Sequence, residues 1–315
     1  YGDYEVAKAI EEQVGKLMHV SNLYHTIPSV ELAKLLVENS FADRVFFCNS
    51  GTESWEAALK FCRKWGNTTH AKAKNRFIAF NNSFHGRTYG SISTTGQPKY
   101  HKGFEPLLPG VDFADFNDLA SVEKLVTDET CAILAEPLQA EGGIHVAEPE
   151  FLQGLRALCD EREMLLVFDE IQVGCGRLGT LWAHQPYDIE PDIMTLAKAL
   201  GGGLPIGVTL MRQKVADAIA AGDHAATFGA NPVACAAAVV VFKKLISEGF
   251  VDSVHEKGEY LAGRLQKLQE RWPDHIKGVR GRGLIVGAVT EKPAIEYLVP
   301  FRERDILVAT AGADV

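Results

Sequence analysis

Long apolar runs are absent from the sequence. No stretch of about 18 or more residues is continuously apolar, so we expect no membrane span. The sequence shows no leader in which a charged segment is followed by an apolar one, so we expect no signal peptide. Basic residues are outnumbered by acidic ones, which gives a formal net charge of -9. Because phosphate-rich surfaces recruit basic patches, nucleic acid and membranes are not the expected partners. These absences favour a cytoplasmic protein that acts on small molecules.

Paired cysteines and clusters of metal ligands are also lacking. The six cysteines include no Cys-x-x-Cys pair, and the ten histidines include no His-Glu-x-x-His sequence. Scattered cysteines in apolar stretches predict free thiols in a reducing compartment. Without a Cys/His cluster at ligand spacing, we expect no metal site.

Regular alternation of apolar patterns predicts the fold class. Apolar residues spaced by three and four predict a helix from Glu5 to Val20. Short β-branched or aromatic runs then alternate with helical segments. The predicted strands are Arg44–Cys48, Arg76–Phe80, Cys131–Ala135, Met164–Phe168 and Ile193–Leu196. This order predicts an α/β fold with a mainly parallel central sheet, helices on both faces and ligands at the strand ends.

The last third of the chain predicts a second, smaller domain of α+β type. Helices are predicted over Asn231–Phe250 and Val251–Arg271, and two strand-like runs follow Pro273, Gly283–Val289 and Asp305–Val308, which suggest that domain. We expect a large domain over residues 1–245 and the incomplete start of a small domain over residues 246–315. Both ends of the sequence look abrupt, so we expect a chain that is truncated at both ends.

The segment Asn49–Glu53 lies between a predicted strand and a predicted helix. Ser50 and Glu53 fit a capping box, and Gly51 would let a bound group approach N–H donors at the positive end of the helix. That geometry binds phosphate. Ordinary strand-to-helix junctions have the same pattern, so both interpretations stay open.

Two charged residues follow predicted apolar strands. Asp169 would need a cationic partner or a metal, since an isolated buried charge is costly, and it could also cap a helix. Lys198 precedes three glycines, which would leave room for a bulky ring. A buried lysine loses its charge readily and acts as a Schiff-base nucleophile, whereas a lysine that reaches the surface does not. The sequence pattern allows either interpretation for each residue.

In their order and spacing, six motifs resemble the class III (subgroup II) aminotransferases, which are pyridoxal-phosphate (PLP) enzymes of fold type I. The motifs are Asn49-Ser-Gly-Thr-Glu53, Phe84-His-Gly-Arg-Thr88, Glu136-Pro-Leu-Gln-Ala-Glu-Gly-Gly143, Asp169-Glu-Ile-Gln172, Lys198 with its glycines, and Thr227-Phe-Gly-Ala-Asn-Pro232. The resemblance implies the PLP-dependent transferase fold and an enzyme that transfers amino groups.

The resemblance also implies a cofactor site. Lys198 would form the Schiff base with PLP and shuttle a proton, and Asp169 would pair with the pyridinium nitrogen, which makes both residues catalytic. Gln172 would bond the phenolic oxygen of the ring, and Phe84 would stack on its face. The other cofactor-binding residues that it implies are Ser50, Gly51, Thr52, His85, Glu136 and Thr227. In the family the counterpart of Thr227 comes from the neighbouring subunit, which implies a homodimer with shared sites.

Substrate residues follow from the same resemblance, which is greatest to the acetylornithine-type members. Arg87 would bind the substrate carboxylate farthest from the reacting amine. Glu141 resembles a gate residue that pairs with a second arginine, expected beyond Val315. These members imply transfer of the ω-amino group of N-acetylornithine to 2-oxoglutarate, giving a semialdehyde and glutamate, in arginine biosynthesis. Ala226 occupies a substrate-binding position where they commonly carry serine.

Other interpretations remain at this stage. Ornithine and 4-aminobutyrate aminotransferases share the core motifs, as do PLP aminomutases and racemases, and an inactive fragment could act as a dimeric scaffold. A nucleotide-dependent dehydrogenase is suggested by Gly174–Gly179, which matches Gly-x-Gly-x-x-Gly after a strand. In dinucleotide-binding sites this motif is followed by a helix. Here no amphipathic helix begins at Gly179, and Pro186 lies where that helix would run, which argues against the dehydrogenase.

Overall fold

The computed structural model describes residues 2–21 and 23–315. The helices are α1 (Tyr4–Val14), α2 (Ile27–Glu38), α3 (Gly51–Thr69), α4 (Tyr89–Thr94), α5 (Leu119–Glu123), α6 (Pro149–Glu161), α7 (Gln213–Ala216), α8 (Pro232–Leu245), α9 (Phe250–Arg271) and α10 (Leu298–Arg302). The strands are β1 (Arg44–Cys48), β2 (Arg76–Phe80), β3 (Val111–Ala114), β4 (Thr130–Ala135), β5 (Leu138–Gln139), β6 (His145–Val146), β7 (Leu165–Asp169), β8 (Ile193–Leu196), β9 (Gly207–Met211), β10 (Ile276–Arg282) and β11 (Ile285–Thr290). Short 3-10 helices include Gln185–Tyr187 and Lys198–Gly201.

The main sheet is mostly parallel, as predicted. Its strand order within the described residues is β1-β9-β8-β7-β4-β2-β3. Strand β9 runs antiparallel to both its neighbours, and the other six strands point in one direction. The carboxyl ends of those six strands therefore meet at one edge of the sheet, where ligands bind in folds of this kind.

Helices cover both faces of this sheet. Every residue of β4 and of β7 is buried, as expected for central parallel strands. Helix α3 packs on one face through residues such as Trp55, and helix α6 packs on the other through residues such as Leu155, both fully buried. Burying one such large apolar side chain contributes about 1.5–3 kcal/mol to folding.

Several predicted elements have different ends in the structure. The helix predicted over Glu5–Val20 ends at Val14, because Gly15 follows and Leu17 is exposed rather than packed. The helix predicted from Asn231 ends at Leu245. Strands β3 and β9 were not predicted at all.

The predicted strand Asp305–Val308 is wrong. Asp305 has a left-handed φ of 59°, which places it in the turn after α10, and Leu307 is 88% exposed. No strand in the described part of the chain pairs with this segment. The hairpin of β10 and β11 forms a separate two-stranded sheet, and the domain boundary near residue 245 stays a prediction. Within the described residues, no helix combines the length and apolar character needed to cross a membrane.

Candidate active site

Residues that follow the carboxyl ends of five parallel strands meet in one cavity of about 750 Å³. Strands β1, β2, β4, β7 and β8 each contribute to its wall. Nine of the predicted site residues line it: Ser50, Gly51, Thr52, Phe84, His85, Glu136, Asp169, Gln172 and Lys198. The structure thus brings together side chains that are up to 148 positions apart in sequence (198 minus 50).

Lys198 presents its amine to this cavity. Its backbone has a left-handed φ of 38° at the start of the 3-10 helix Lys198–Gly201, and Gly202 and Gly203 also have positive φ values. The amine Nζ donates to Oε1 of Gln172 at 2.6 Å. Lys198 is exposed in the open cavity rather than buried.

Asp169 is held from behind by a histidine. Its carboxylate is 5% exposed, and Oδ2 lies 2.8 Å from Nδ1 of His85, while Oδ1 accepts from the backbone N–H of Ile171. The His85 ring stacks on Trp55 with ring centroids 3.9 Å apart and an interplanar angle of 9°. Its other nitrogen, Nε2, is buried and has no hydrogen-bond partner among the described residues. His85 therefore contacts Asp169 and Trp55 and supports the carboxylate in one orientation.

Glu136 brings a second carboxyl group close to Asp169. One of its oxygens accepts from the backbone N–H of Phe84 at 3.1 Å. Burial, and then the neighbouring Asp169 charge, raise the pKa of Glu136 well above its ordinary value. A raised pKa favours the protonated form of Glu136, which avoids placing two negative charges together.

The amino end of α3 forms a close-packed cradle. Ser50 caps the helix by accepting from the N–H of Glu53 at 3.3 Å. The Glu53 carboxylate accepts from the Asn49 N–H and from the Ser50 hydroxyl, but not from the Ser50 N–H as a capping box requires. A Cβ on Gly51 would lie 2.9 Å from the Ile171 side chain, so a larger residue here would require the loop after β7 to shift. The positive helix end and its free N–H groups favour an anion here.

Thr52 lies in a cluster of hydroxyl groups beside this helix end. Its Oγ1 lies 2.8 Å from that of Thr88 and donates to Ser91 Oγ at 2.8 Å. A Cβ on Gly86, where φ is 118°, would come within 2.5 Å of Thr52 Oγ1. The hydroxyl of Thr52 is thus fixed by the Phe84–Ser91 segment.

Four predicted residues do not line the cavity. Arg87 is exposed, with its guanidinium carbon 4.7 Å from the centre of the Tyr100 ring. Thr227 is exposed, and Ala226 and Glu141 are half-buried. The backbone carbonyl of Glu141 accepts from the N–H of Gly312 at 2.9 Å.

Other lining residues were missed from the sequence. Ile171 and Val173 flank Gln172 in the sequence, so their closeness to Asp169 could have indicated that they line the cavity. Leu284 and Ile285 come from the distant turn between β10 and β11, which no local pattern connects to the cavity. Among the described residues, no group of three His, Cys, Asp or Glu side chains is arranged to hold a metal ion.

The Aminotransferase class-III family matches residues 1–315. The chain belongs to this family. An acetylornithine aminotransferase from Methanocaldococcus jannaschii is 46% identical over 307 residues, which cover 96% of this chain and 76% of that protein. As a class-III aminotransferase, the chain is an enzyme that uses an amino donor and a keto-acid acceptor.

Solved structures of related enzymes have the same fold as this class-III aminotransferase. The N-acetylornithine aminotransferase of Stenotrophomonas maltophilia K279a matches with a TM-score of 0.85 at 38% identity, covering 99% of this chain and 79% of that one. An ornithine aminotransferase structure from Toxoplasma gondii, with partial occupancy of PLP at its active site, matches with a TM-score of 0.91 at 29% identity, covering 100% and 76%.

The residues of the cavity fit PLP. The cofactor has a phosphate, a ring nitrogen that is protonated when it accepts electrons, and an aldehyde that reacts with amines. The cavity offers the amino end of α3 for the phosphate, the buried Asp169 carboxylate for the ring nitrogen, and the Lys198 amine for the aldehyde. The close-packed Gly51 leaves the helix end open to such a group.

Proposed function

We propose that this class-III aminotransferase transfers the ω-amino group of N-acetylornithine, or of a similar donor, to 2-oxoglutarate with PLP as cofactor. The products are a semialdehyde and glutamate. The observation that carries the proposal is the Lys198 amine in the same cavity as the Asp169 carboxylate and its His85 support. The 46% identity to the M. jannaschii acetylornithine aminotransferase supports N-acetylornithine as the donor.

Lys198 and Asp169 have the catalytic roles in this proposal. When bound, PLP accepts the electrons left on the substrate carbon after a proton is removed. Lys198 would hold the cofactor and move that proton. Gln172 would bond the phenolic oxygen of the ring, and without the cofactor its Oε1 accepts from the Lys198 amine at 2.6 Å. Asp169 would pair with the ring nitrogen, while Phe84, His85 and Glu136 complete the wall around the ring.

Phosphate binding is assigned to Ser50, Gly51 and Thr52, together with Thr227 from a second copy of the chain. Thr227 is exposed and lies outside the cavity of its own chain, which is consistent with a role in a neighbouring site. We therefore propose a homodimer with shared active sites.

Carboxylate recognition is assigned to Arg87, with Glu141 as the gate residue and Ala226 beside the substrate. Arg87 is exposed next to Tyr100 and would turn toward the cavity when substrate binds. A planar guanidinium can hold a carboxylate through two parallel hydrogen bonds.

We also propose a cytoplasmic enzyme with a large domain over residues 1–245 and a small one over residues 246–315. All six cysteines are free and buried, and burial raises the pKa of Cys48 and of Cys235 to about 12. Inert thiols of this kind suit a reducing compartment. The separate sheet of β10 and β11 supports the second domain.

The test is an absorbance spectrum of the purified protein with added PLP, followed by N-acetylornithine alone. A visible band that bleaches with this donor, and returns with 2-oxoglutarate, supports the proposal. The return step separates transamination from aminomutase or racemase activity, which needs no amino acceptor. Absence of a band at saturating PLP would overturn the proposal.

Ornithine is the second candidate donor. The T. gondii ornithine aminotransferase match at a TM-score of 0.91 supports it, as does Ala226, where acetylornithine-type members commonly carry serine. Rates of bleaching with ornithine and with N-acetylornithine, measured at equal concentrations, decide between the two donors.

A further inference from the structure

Glu170 follows the proposed catalytic Asp169, but its side chain takes no part in the cavity. The Glu170 carboxylate is fully buried on the other side of the backbone. Its Oε1 accepts from the backbone N–H of His184 at 3.0 Å and lies 2.7 Å from Nδ1 of the His184 ring. Its Oε2 accepts from the N–H of Ala183 at 2.7 Å. One carboxylate thus joins the two ends of the segment 170–184.

A fully buried carboxylate is costly unless its oxygens are well satisfied. The three hydrogen bonds satisfy the Glu170 carboxylate. An apolar contact between the two ends of the segment 170–184 could join them as well, without the cost of burying a carboxylate. A role in fixing one conformation explains better why a charged group lies here. The residue whose conformation matters most in this segment is Gln172, which accepts from the Lys198 amine.

The beginning of the segment is folded tightly onto Glu170. The N–H of Gly174 donates to the Glu170 carbonyl at 2.9 Å. A Cβ on Gly174 would lie 2.8 Å from that carbonyl oxygen and 2.9 Å from Oε2. Gln172 lies in the turn between these two residues, and the Glu170 carboxylate packs against the Gly174 end of that turn.

The end of the segment is anchored to the core. The indole of Trp182 donates to the backbone carbonyl of Asn39 at 2.6 Å and packs on Phe242 with ring centroids 5.9 Å apart. His184 is buried and precedes the 3-10 helix Gln185–Tyr187. The core therefore fixes His184, and His184 fixes Glu170.

We propose that Glu170 and His184 form a positioning pair that holds Gln172 against the Lys198 amine. The inference rests on the proposed function, because Gln172 and Lys198 matter through the bound cofactor. The pair itself does not touch cofactor or substrate. Its effect is on the geometry of the 169–172 turn, and through it on how tightly PLP is held.

The test is a double-mutant cycle on the PLP-loaded protein. The pH midpoint of its visible absorbance band and its dissociation constant for PLP are measured for wild type, Glu170→Gln, Gln172→Ala and the double variant. Glu170→Gln should shift the midpoint in the same direction as Gln172→Ala and weaken PLP binding about ten-fold, as for loss of a charge-assisted hydrogen bond. In the Gln172→Ala background the Glu170→Gln shift should disappear, because coupled residues are not additive.

Conservative variants of His184 give a second measurement. His184→Asn keeps an N–H donor near the Nδ1 position and should retain the wild-type midpoint, whereas His184→Phe should reproduce the Glu170→Gln shift. These two His184 variants test the inference if Glu170→Gln does not accumulate as folded protein.

Asp192→Asn is the matched control. Asp192 is a buried carboxylate at the amino end of β8, away from the cavity, and it pairs with Arg156 at 2.9 Å and Lys214 at 2.6 Å. This variant should lower the unfolding temperature and leave the midpoint and PLP affinity unchanged. A wild-type midpoint in Glu170→Gln, or a shift that persists in the Gln172→Ala background, overturns the inference alone. A wild-type protein without a visible band overturns the proposed function and the inference together.

Discussion

Nδ1 of His85 lies 2.8 Å from Oδ2 of Asp169, and both side chains are buried in the wall of the cavity. The stack of His85 on Trp55 fixes the ring, so the Asp169 carboxylate has one orientation toward the cavity.

The first prediction depends on this pair of His85 and Asp169. His85→Phe should weaken PLP binding about ten-fold, since a hydrogen bond to a charged group contributes about 1.5–3 kcal/mol. PLP titration by absorbance measures the change. His85→Asn, which keeps a donor near Nδ1, should bind PLP more tightly than His85→Phe, and equal affinities of the two variants would contradict this role.

Glu136 should make the stability of the PLP-free protein depend on pH. The pKa of Glu136 is raised above its ordinary value of 4.5, so the folded protein keeps a proton that the unfolded chain loses. This contribution is fully present below about pH 4.5 and is lost as the pH rises through the folded-state pKa. The unfolding temperature should therefore fall less steeply with rising pH in Glu136→Gln than in wild type, at pH values above about 4.5. The exposed Glu150→Gln variant should keep the wild-type slope, and an unchanged slope in Glu136→Gln would count against a raised pKa of Glu136.

Replacing Lys198 by alanine should remove both cofactor attachment and proton transfer. We expect loss of the visible band and a fall in kcat of about a hundred- to ten-thousand-fold, the usual range for a general acid–base group. Absorbance spectroscopy and a glutamate-release assay measure the two effects. The exposed Lys34→Ala variant should behave as wild type, and full turnover by Lys198→Ala would refute the assignment.

The central sheet was largely predictable because buried parallel strands are short, continuous apolar runs. Arg76–Phe80 and Ile193–Leu196 have the predicted bounds for this reason. Strand β9, Gly207–Met211, was missed because it pairs antiparallel on both sides, with β8 and with β1, and β1 is distant in sequence. The Asp305–Val308 strand was predicted from apolar residues that the structure leaves exposed.

The site residues at the carboxyl ends of the parallel strands were predictable from the sequence. Asp169 ends β7 and Lys198 follows β8, and these two strands are adjacent and parallel, so their carboxyl ends bring the two residues together. The support of Asp169 by His85 joins residues 84 positions apart and has no local signal. The exposure of Lys198 and the position of Arg87 over Tyr100 depend on tertiary packing, which the motifs do not encode.

Arg87 should matter only for substrates that carry the distal carboxylate. Arg87→Lys keeps the charge but loses bidentate pairing, so kcat/KM for N-acetylornithine should fall roughly ten- to hundred-fold. The rate with an ω-amine that lacks the carboxylate should stay unchanged. Lys99→Ala is the matched control, because Lys99 Nζ lies 4.9 Å from the centre of the same Tyr100 ring. An equal loss with both kinds of amine would show that Arg87 acts through the fold instead.

Complementation between inactive subunits should show whether Thr227 serves a neighbouring site. Thr227→Asp places a negative charge where the phosphate would bind and should abolish activity, and Lys198→Ala abolishes activity in its own chain. In a mixed dimer, one site would then combine the intact Lys198 of one chain with the intact Thr227 of the other. Random mixing of the two variants in equal amounts should restore about a quarter of the wild-type sites.

The mixing experiment separates shared sites from independent ones. If Thr227 acted within its own chain, the mixed dimer would contain no intact site and activity would stay at the level of the separate variants. Thr68→Asp, at an exposed position on α3, should be active alone and so serves as the control for the added charge. Size-exclusion chromatography of the mixture, after mild dissociation and reassociation, confirms that subunits have exchanged. Recovery of turnover in the dimer fraction would place Thr227 in the neighbouring active site, since neither parent chain has a complete one.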